Sequence, residues 1–510
     1  MVNRRLIGKR GTTRGHGKVG LLMVIQPGRA WWNCGFLLWV VIPFALATGC
    51  QPSAPSTEDV TVDSADEPPV RVLVIQDAVL AEEIQRQWEL RTDQQIVVRE
   101  RRWEELAAAK RLAADVVIYP AGYLGELAER RLLAPIPTDV INGPAVGRDD
   151  LLPLQRQLET VWGKKTMALS FGSPLLVLYY REDVLQALGV SVPQTWEEYQ
   201  RVVSALHARP ELARIAQSTD DTEQQSQWVP ALEPMKSTWS AQLLLARVVG
   251  YARHPEQVAT WFEIGSMKPR IDSEPFVRAL NELAQCQEGV PDTWLALDPS
   301  EVRELFHKGQ CALALTWPNA RSETSDRTRG AFRIAPLPGS LDAFEPISGE
   351  WSVRKSGREM TLLLGVSGRL GSVTWEAGSP QTAARLLALM TGAEIATEVS
   401  AGDQGTTLFR ESQLSRVEQW VERAAPRRAA QDYGDVVRAA QACRDVVFSP
   451  RIPGRTMYLT ALAEAVRRCL VEDTDAADSL AQAARQWERI TDSLGRDQQR
   501  LAYRRSLGMQ

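Results

Sequence analysis

The chain has 510 residues, 44% apolar and 24% charged, which suffices to bury two to four domain-sized cores and is incompatible with a disordered or fibrous protein. Its formal charge of -4 leaves no basic surplus for neutralising a run of phosphates, which excludes nucleic acid as a partner.

The first fifty residues read as an export signal and not as part of the fold. Arg4, Arg5, Lys9, Arg10, Arg14, Lys18 and Arg29 lead up to an apolar run from Gly35 to Ala47, closed by Gly49 and Cys50. The run is short for a membrane span. Leu46-Ala47-Thr48-Gly49-Cys50 resembles a lipoprotein signal box, in which the cysteine thiol takes a diacylglycerol before cleavage leaves it N-terminal. Cys50 is therefore the expected lipidation site and membrane anchor, with Met1 or Met23 as the start. Residues 51 to 69, rich in Pro, Ser, Thr, Asp and Glu, read as a solvated tether, and the folded body is expected from Val70.

From Val70 the pattern predicts a strand to Ile75, a helix from Leu80 to Arg91, a strand from Gln95 to Arg99, a helix from Trp103 to Ala113 and a strand from Asp115 to Tyr119. Such βαβαβ alternation argues for a parallel sheet flanked by helices, with ligands beyond the carboxyl ends of the strands. A short helix from Tyr123 to Arg130 follows, then a strand from Leu175 to Tyr180 and a helix from Arg181 to Leu188. Thr195 caps the next helix, with Glu198 at the capping-box spacing. Further helices are expected at 240–251, 255–262, 274–286 and 299–308, buried strands at 311–316 and 361–366, and an almost wholly helical stretch beyond Gln381.

Cys286, Cys311, Cys443 and Cys469 lie in the body without a C-x-x-C spacing, which argues against zinc-ribbon or thioredoxin chemistry. In an oxidising compartment they allow three pairings, of which Cys286 with Cys311 and Cys443 with Cys469 is the expected one. No H-E-x-x-H, G-x-x-x-x-G-K-[ST] or G-x-S-x-G motif is present, and His207, His254 and His307 stand far apart. Ser352-Val353-Arg354-Lys355 fits S-x-x-K but overlaps Lys355-Ser356-Gly357, and overlap removes the facing geometry that acyl-serine chemistry needs. No catalytic residue, metal or cofactor is expected. Tyr179-Tyr180 lies inside an apolar run and reads as structural, not as an iron site.

Several segments carry a family likeness in order. They are Asp115 to Tyr119 with Leu132-Leu133-Ala134-Pro135, Phe171 to Asp183 followed by Pro193 to Trp196, Phe306 to Leu313, Phe332 to Gly339, and Ser379 to Ala384. Over roughly Val70 to Arg410 the chain resembles the extracellular solute-binding proteins of ABC importers, maltose-binding proteins among them. The resemblance implies an α/β, two-lobe type 2 periplasmic binding protein fold, each lobe a mixed, mostly parallel sheet flanked by helices, with a helical C-terminal extension. The expected divisions are 1–49 signal, 50–69 tether, 70–175 first part of lobe 1, 176–340 lobe 2, 341–400 return to lobe 1 and 401–510 helices packing mainly on lobe 2.

The same resemblance implies lobes that close on a small organic solute, expected to be a sugar, with no chemistry done to it. Aromatic planes suit sugar C–H faces and polar groups take the hydroxyls. The expected contacts are Trp317, Trp239, Trp375, Tyr119 and Tyr123, with Asp77, Ser173, Asn319 and Ser372 for the hydroxyls. The expected partners are ABC permease subunits and their ATPase, with the receptor a monomer held to the membrane in the cell envelope. A sensory binding protein for the same ligands, or an envelope hydrolase, is the alternative.

Overall fold

Val70, Val72, Leu73, Val74 and Ile75 are all buried, so from Val72 onward the first strand has both faces covered, as the apolar run Val72 to Ile75 requires. The structure, a computed structural model, describes residues 68–106, 108–217, 227–253, 258–322, 332–354, 361–423 and 425–509. The signal segment and Cys50 lie outside the described residues. In chain order the strands of the two main sheets and of one small parallel ribbon are β1 (Val70–Ile75), β2 (Ile96–Arg101), β3 (Val116–Pro120), β4 (Leu133–Ala134), β5 (Leu169–Ser170), β6 (Val177–Arg181), β7 (Val229–Leu232), β8 (Cys311–Thr316), β9 (Phe332–Pro336), β10 (Leu362–Leu364), β11 (Arg369–Thr374) and β12 (Val446–Phe448). The first sheet runs β2-β1-β3-β11-β4, with β5 also paired to β11, and the second runs β9-β6-β8-β7. A small third pairing joins β10 to β12.

Parallel pairing is confined to β2-β1-β3, to β8-β7 and to the small β10-β12 ribbon, and the remaining pairs of both main sheets are antiparallel. The sheets are mixed, as expected, but antiparallel pairs outnumber the parallel ones in both. The cause is topological: β6 and β11 arrive from crossing segments and not through helical crossovers, so nothing forces them parallel.

The principal helices are α1 (Ala78–Glu89), α2 (Thr238–Ala252), α3 (Glu274–Cys286), α4 (Pro299–His307), α5 (Pro380–Met390), α6 (Arg427–Gln441), α7 (Arg455–Val471), α8 (Ala476–Ser493) and α9 (Arg496–Ser506). Helices α1 and α5 cover the first sheet. In the C-terminal region α6 packs on β9, α7 on α2 and α8 on α3, while Arg505 of α9 reaches back to Glu129 of the first lobe at 2.6 Å. A hairpin of Asp342–Glu345 with Glu350–Val353 stays against the second lobe, where Arg278 of α3 pairs with Asp342 at 2.9 Å. The chain re-enters the first sheet at Arg369. Among the described residues no helix is long and apolar enough to cross a membrane.

Two expected helices fail for local reasons. The one begun at Trp103 stops at Leu106, because Arg130 takes the carbonyls of Leu106 and Ala109 and Ala113 turns left-handed at φ 48°. Residues 258–262 of the expected 255–262 helix are irregular, and 254–257 fall outside the described residues. There the amides of Trp261 and Phe262 donate to the Tyr503 hydroxyl, and Trp261 Nε1 donates to the Phe448 carbonyl.

The expected disulfides are corrected as well: Cys286, Cys311, Cys443 and Cys469 are free thiols. Cys286 sits in the core between helices and Cys311 in the core on the other side of the second sheet, so their side chains belong to different clusters. Cys469 packs on the first of these clusters, whereas the Cys443 thiol turns to the Asp445 carbonyl at 3.4 Å.

Gly172, in the crossing segment, has φ 96°, and a Cβ there would lie 1.9 Å from the Thr407 carbonyl oxygen. Gly172→Ala is expected to lose about 2–4 kcal/mol of stability by urea denaturation, combining a left-handed alanine with a displaced neighbour.

Candidate functional site

The carboxyl ends of β1 and β3, the entry to β11 and the first turns of α2, α4 and α7 converge on one cleft of about 370 Å³ between the two sheets. Trp239 and Trp317 supply its aromatic wall, with ring centroids 5.2 Å apart and planes tilted by 55°. Trp317 directly follows the buried strand β8, and its Nε1 donates to the Gln404 carbonyl at 2.9 Å, which fixes the indole at the mouth. Opposite, Tyr123 stacks on Trp103 with centroids 3.9 Å apart and bonds through its hydroxyl to Thr456 Oγ1 at 3.1 Å. Two non-glycine residues at the cleft carry positive φ, Gln76 at 57° and Ser237 at 52°, and such strained backbone concentrates at binding sites.

Arg303, Arg369 and Arg455 line the same space. Arg369 Nε pairs with Asp77 at 2.7 Å, and Arg303 donates to the Trp317 carbonyl at 2.8 Å. Behind Arg303 lies a buried network: Glu422 is 3.5 Å from Arg303 Nε and 3.8 Å from His307 Nε2, and accepts from the Tyr179 hydroxyl at 2.9 Å. Burial alone would raise the Glu422 carboxyl, but His307 and Arg303 outweigh it and hold the group below the usual range. Tyr179 is thereby structural, its hydroxyl raised well above normal by burial and by Glu422.

Asp403 lies behind Arg369. Burial pushes its carboxyl up to about 7, Arg369 opposes this and the neighbouring Asp77 adds to it. A folded-state value above the unfolded one means that the linked stability is complete below about pH 4 and is lost as pH rises through about 7. The urea midpoint should therefore fall between about pH 5 and pH 8, and Asp403→Asn should flatten that fall.

Of the sequence-nominated contacts, Trp239, Trp317 and Tyr123 line the cleft. Asp77 stands one layer back, capping α1 through Leu80 N and holding Arg369. Tyr119 and Ser372 bond each other across β3 and β11 at 2.7 Å, fully buried, and Ser372 also donates to the Met167 carbonyl. Ser173 is buried against Gly368, and Asn319 spends its amide on Asp403 O and Arg321 N. Trp375 is 63% exposed, because it leaves β11 at the end opposite to Arg369. Tyr119, Ser173, Asn319, Ser372 and Trp375 are thus removed from the list of cleft-lining groups. The sequence reading missed Gln242, Arg303, Arg369 and Arg455. Arg369 and Arg455 open a strand and a helix, whereas Gln242 and Arg303 lie one turn into theirs, and the sequence carries no other signal of them.

The profile of bacterial extracellular solute-binding proteins matches residues 75–343. No curated protein matches the chain in sequence. Among solved structures, an ABC transporter solute-binding protein of Agrobacterium radiobacter in complex with ribitol is 18% identical at TM-score 0.60, covering 83% of this chain and 98% of its own. A maltose-bound protein of T. maritima is 16% identical at TM-score 0.59, covering 82% and 100%. An ABC transporter solute-binding protein of Agrobacterium vitis with bound D-mannitol is 15% identical at TM-score 0.59, covering 84% and 99%.

Proposed function

Because the chain belongs to the bacterial extracellular solute-binding protein family, we propose that it is the receptor of an ABC importer and captures a carbohydrate or polyol between its two lobes. The observation that carries this reading is the Trp239 and Trp317 pair facing a cleft whose walls come from both sheets. Indole faces bury the apolar C–H surface of such a solute, while the polar groups around them take its hydroxyls. The bound polyols and maltose of similarly folded proteins support the same class of ligand. Closing the lobes removes the solute from water and presents one shape to membrane permease subunits, whose ATPase drives import. Cys50, through its lipid, keeps this monomeric receptor at the membrane in the cell envelope. Nothing chemical happens to the ligand.

Titration of the purified protein with sugars and polyols, followed by tryptophan fluorescence and calorimetry, tests the reading. One-to-one saturable binding with a rise in the unfolding midpoint is expected. No saturable binding across neutral and charged members alike would sink it.

A further inference from the structure

Three helices begin at the cleft, and they differ in how their first turns are satisfied. In α4 the Asp298 carboxylate accepts from Ser300 N and Glu301 N, and it also pairs with Lys236 at 3.4 Å. That terminus is closed by its own acid. Helices α2 and α7 have no side-chain cap, since Ser237 and Gly454 precede them without bonding the first turn. Their first-turn residues Thr238, Trp239, Arg455 and Thr456 line the cleft. Both helices are long, so their positive ends face the same space.

The arginines differ in the same way. Arg369 has Asp77 and Arg303 has Glu422, but Arg455 bonds only neutral oxygens: Ser449 Oγ at 2.8 Å, Pro450 O at 2.7 Å and Gly365 O at 2.9 Å. Among the described residues it forms no ion pair. Its guanidinium is pushed down to about 10 by burial, with Tyr123 and Glu126 opposing. A buried cation without an ion pair, whose acidic neighbour Glu126 accepts from the Gly454 amide, favours an anion brought to it. Gln242, one turn into α2 and 3% exposed, adds an independent sign of a ligand, for its Oε1 is buried on the cleft wall without a hydrogen-bond partner. An orphaned acceptor of that kind calls for a donor, such as a hydroxyl, from outside the chain.

Resting on the solute-receptor reading above, we infer that the ligand is an anionic carbohydrate, whose carboxylate or phosphate sits at Arg455 and the starts of α2 and α7 and whose hydroxyl donates to Gln242. The anion meets Arg455 and the positive ends of α2 and α7, and the rest of the sugar lies against the two indoles.

The test uses the full chain in detergent and matched probes: glucose, glucuronate and glucose 6-phosphate, galactose, galacturonate and galactose 6-phosphate, and inorganic phosphate alone. A charged member should bind at least tenfold more tightly than its neutral parent, with affinity falling as salt is raised. Preference between the carboxylate and phosphate members identifies the anion. Arg455→Gln removes three hydrogen bonds and risks the fold. Thr456→Glu serves instead: Thr456 is exposed, and an acid in the first turn of a helix favours folding. It should abolish the advantage of the charged probe while leaving the unfolding midpoint unchanged or raised. Neutral parents binding as tightly as their acids, or Thr456→Glu leaving the preference intact, overturns the anionic inference and spares the receptor reading. Binding by none of these probes, nor by any other neutral or charged sugar or polyol, overturns both.

Discussion

Replacing Glu422 by alanine is expected to remove about 3–5 kcal/mol of folding stability, read from the urea midpoint, and to weaken ligand binding in the same protein. The carboxylate is fully buried and in contact with Arg303 and His307, so its loss strands the Arg303 charge in the second lobe. Tyr179 simultaneously loses the acceptor for its hydroxyl. Arg303 in turn donates to the Trp317 carbonyl, so the defect reaches the indole that forms the cleft wall. A Glu422→Ala protein with unchanged midpoint would show that the network is not a structural element. Lost stability with full affinity would show that Trp317 is held without it.

Trp239→Ala separates binding from folding more cleanly. The side chain is only partly buried, so truncation leaves a small void and a modest stability change. Removing one aromatic face from the ligand should nevertheless weaken affinity by about 10- to 100-fold, on the order of 1.4–2.7 kcal/mol. Calorimetry with the best solute found for the wild-type protein measures it. An affinity within twofold of wild type would place the solute away from the indoles.

Much of the fold was legible because its strands are short, mostly apolar runs bounded by Gly, Pro or charged residues. β1 and β8 fall on their expected residues for that reason. Thr195 also behaves as a cap, accepting from Glu198 N at 3.2 Å, although the return bond of Glu198 goes to Gln194 N. Helix propensity misled where tertiary partners took the backbone, as at Ala113 and at Trp261. For the site, Trp317 was readable from its place after a buried strand. Trp375 looked alike in sequence, but its strand carries the cleft at its first residue and not its last. Arg455 was out of reach, since it comes from a C-terminal helix beyond the family likeness, and only packing brings it to Gly122 and Gly365.

The insertion of β11 between β3 and β4 has a bearing on how the chain is made. Its partner residues Tyr119 and Ser372 are 253 positions apart. As the polypeptide emerges from its N-terminus, β3 remains an unpaired edge until β11 arrives, and loop closure over that distance is slow. The first lobe is thus begun first and completed late. A newly made chain cannot close its first sheet until nearly three quarters of it has been synthesised, at about residue 372 of 510.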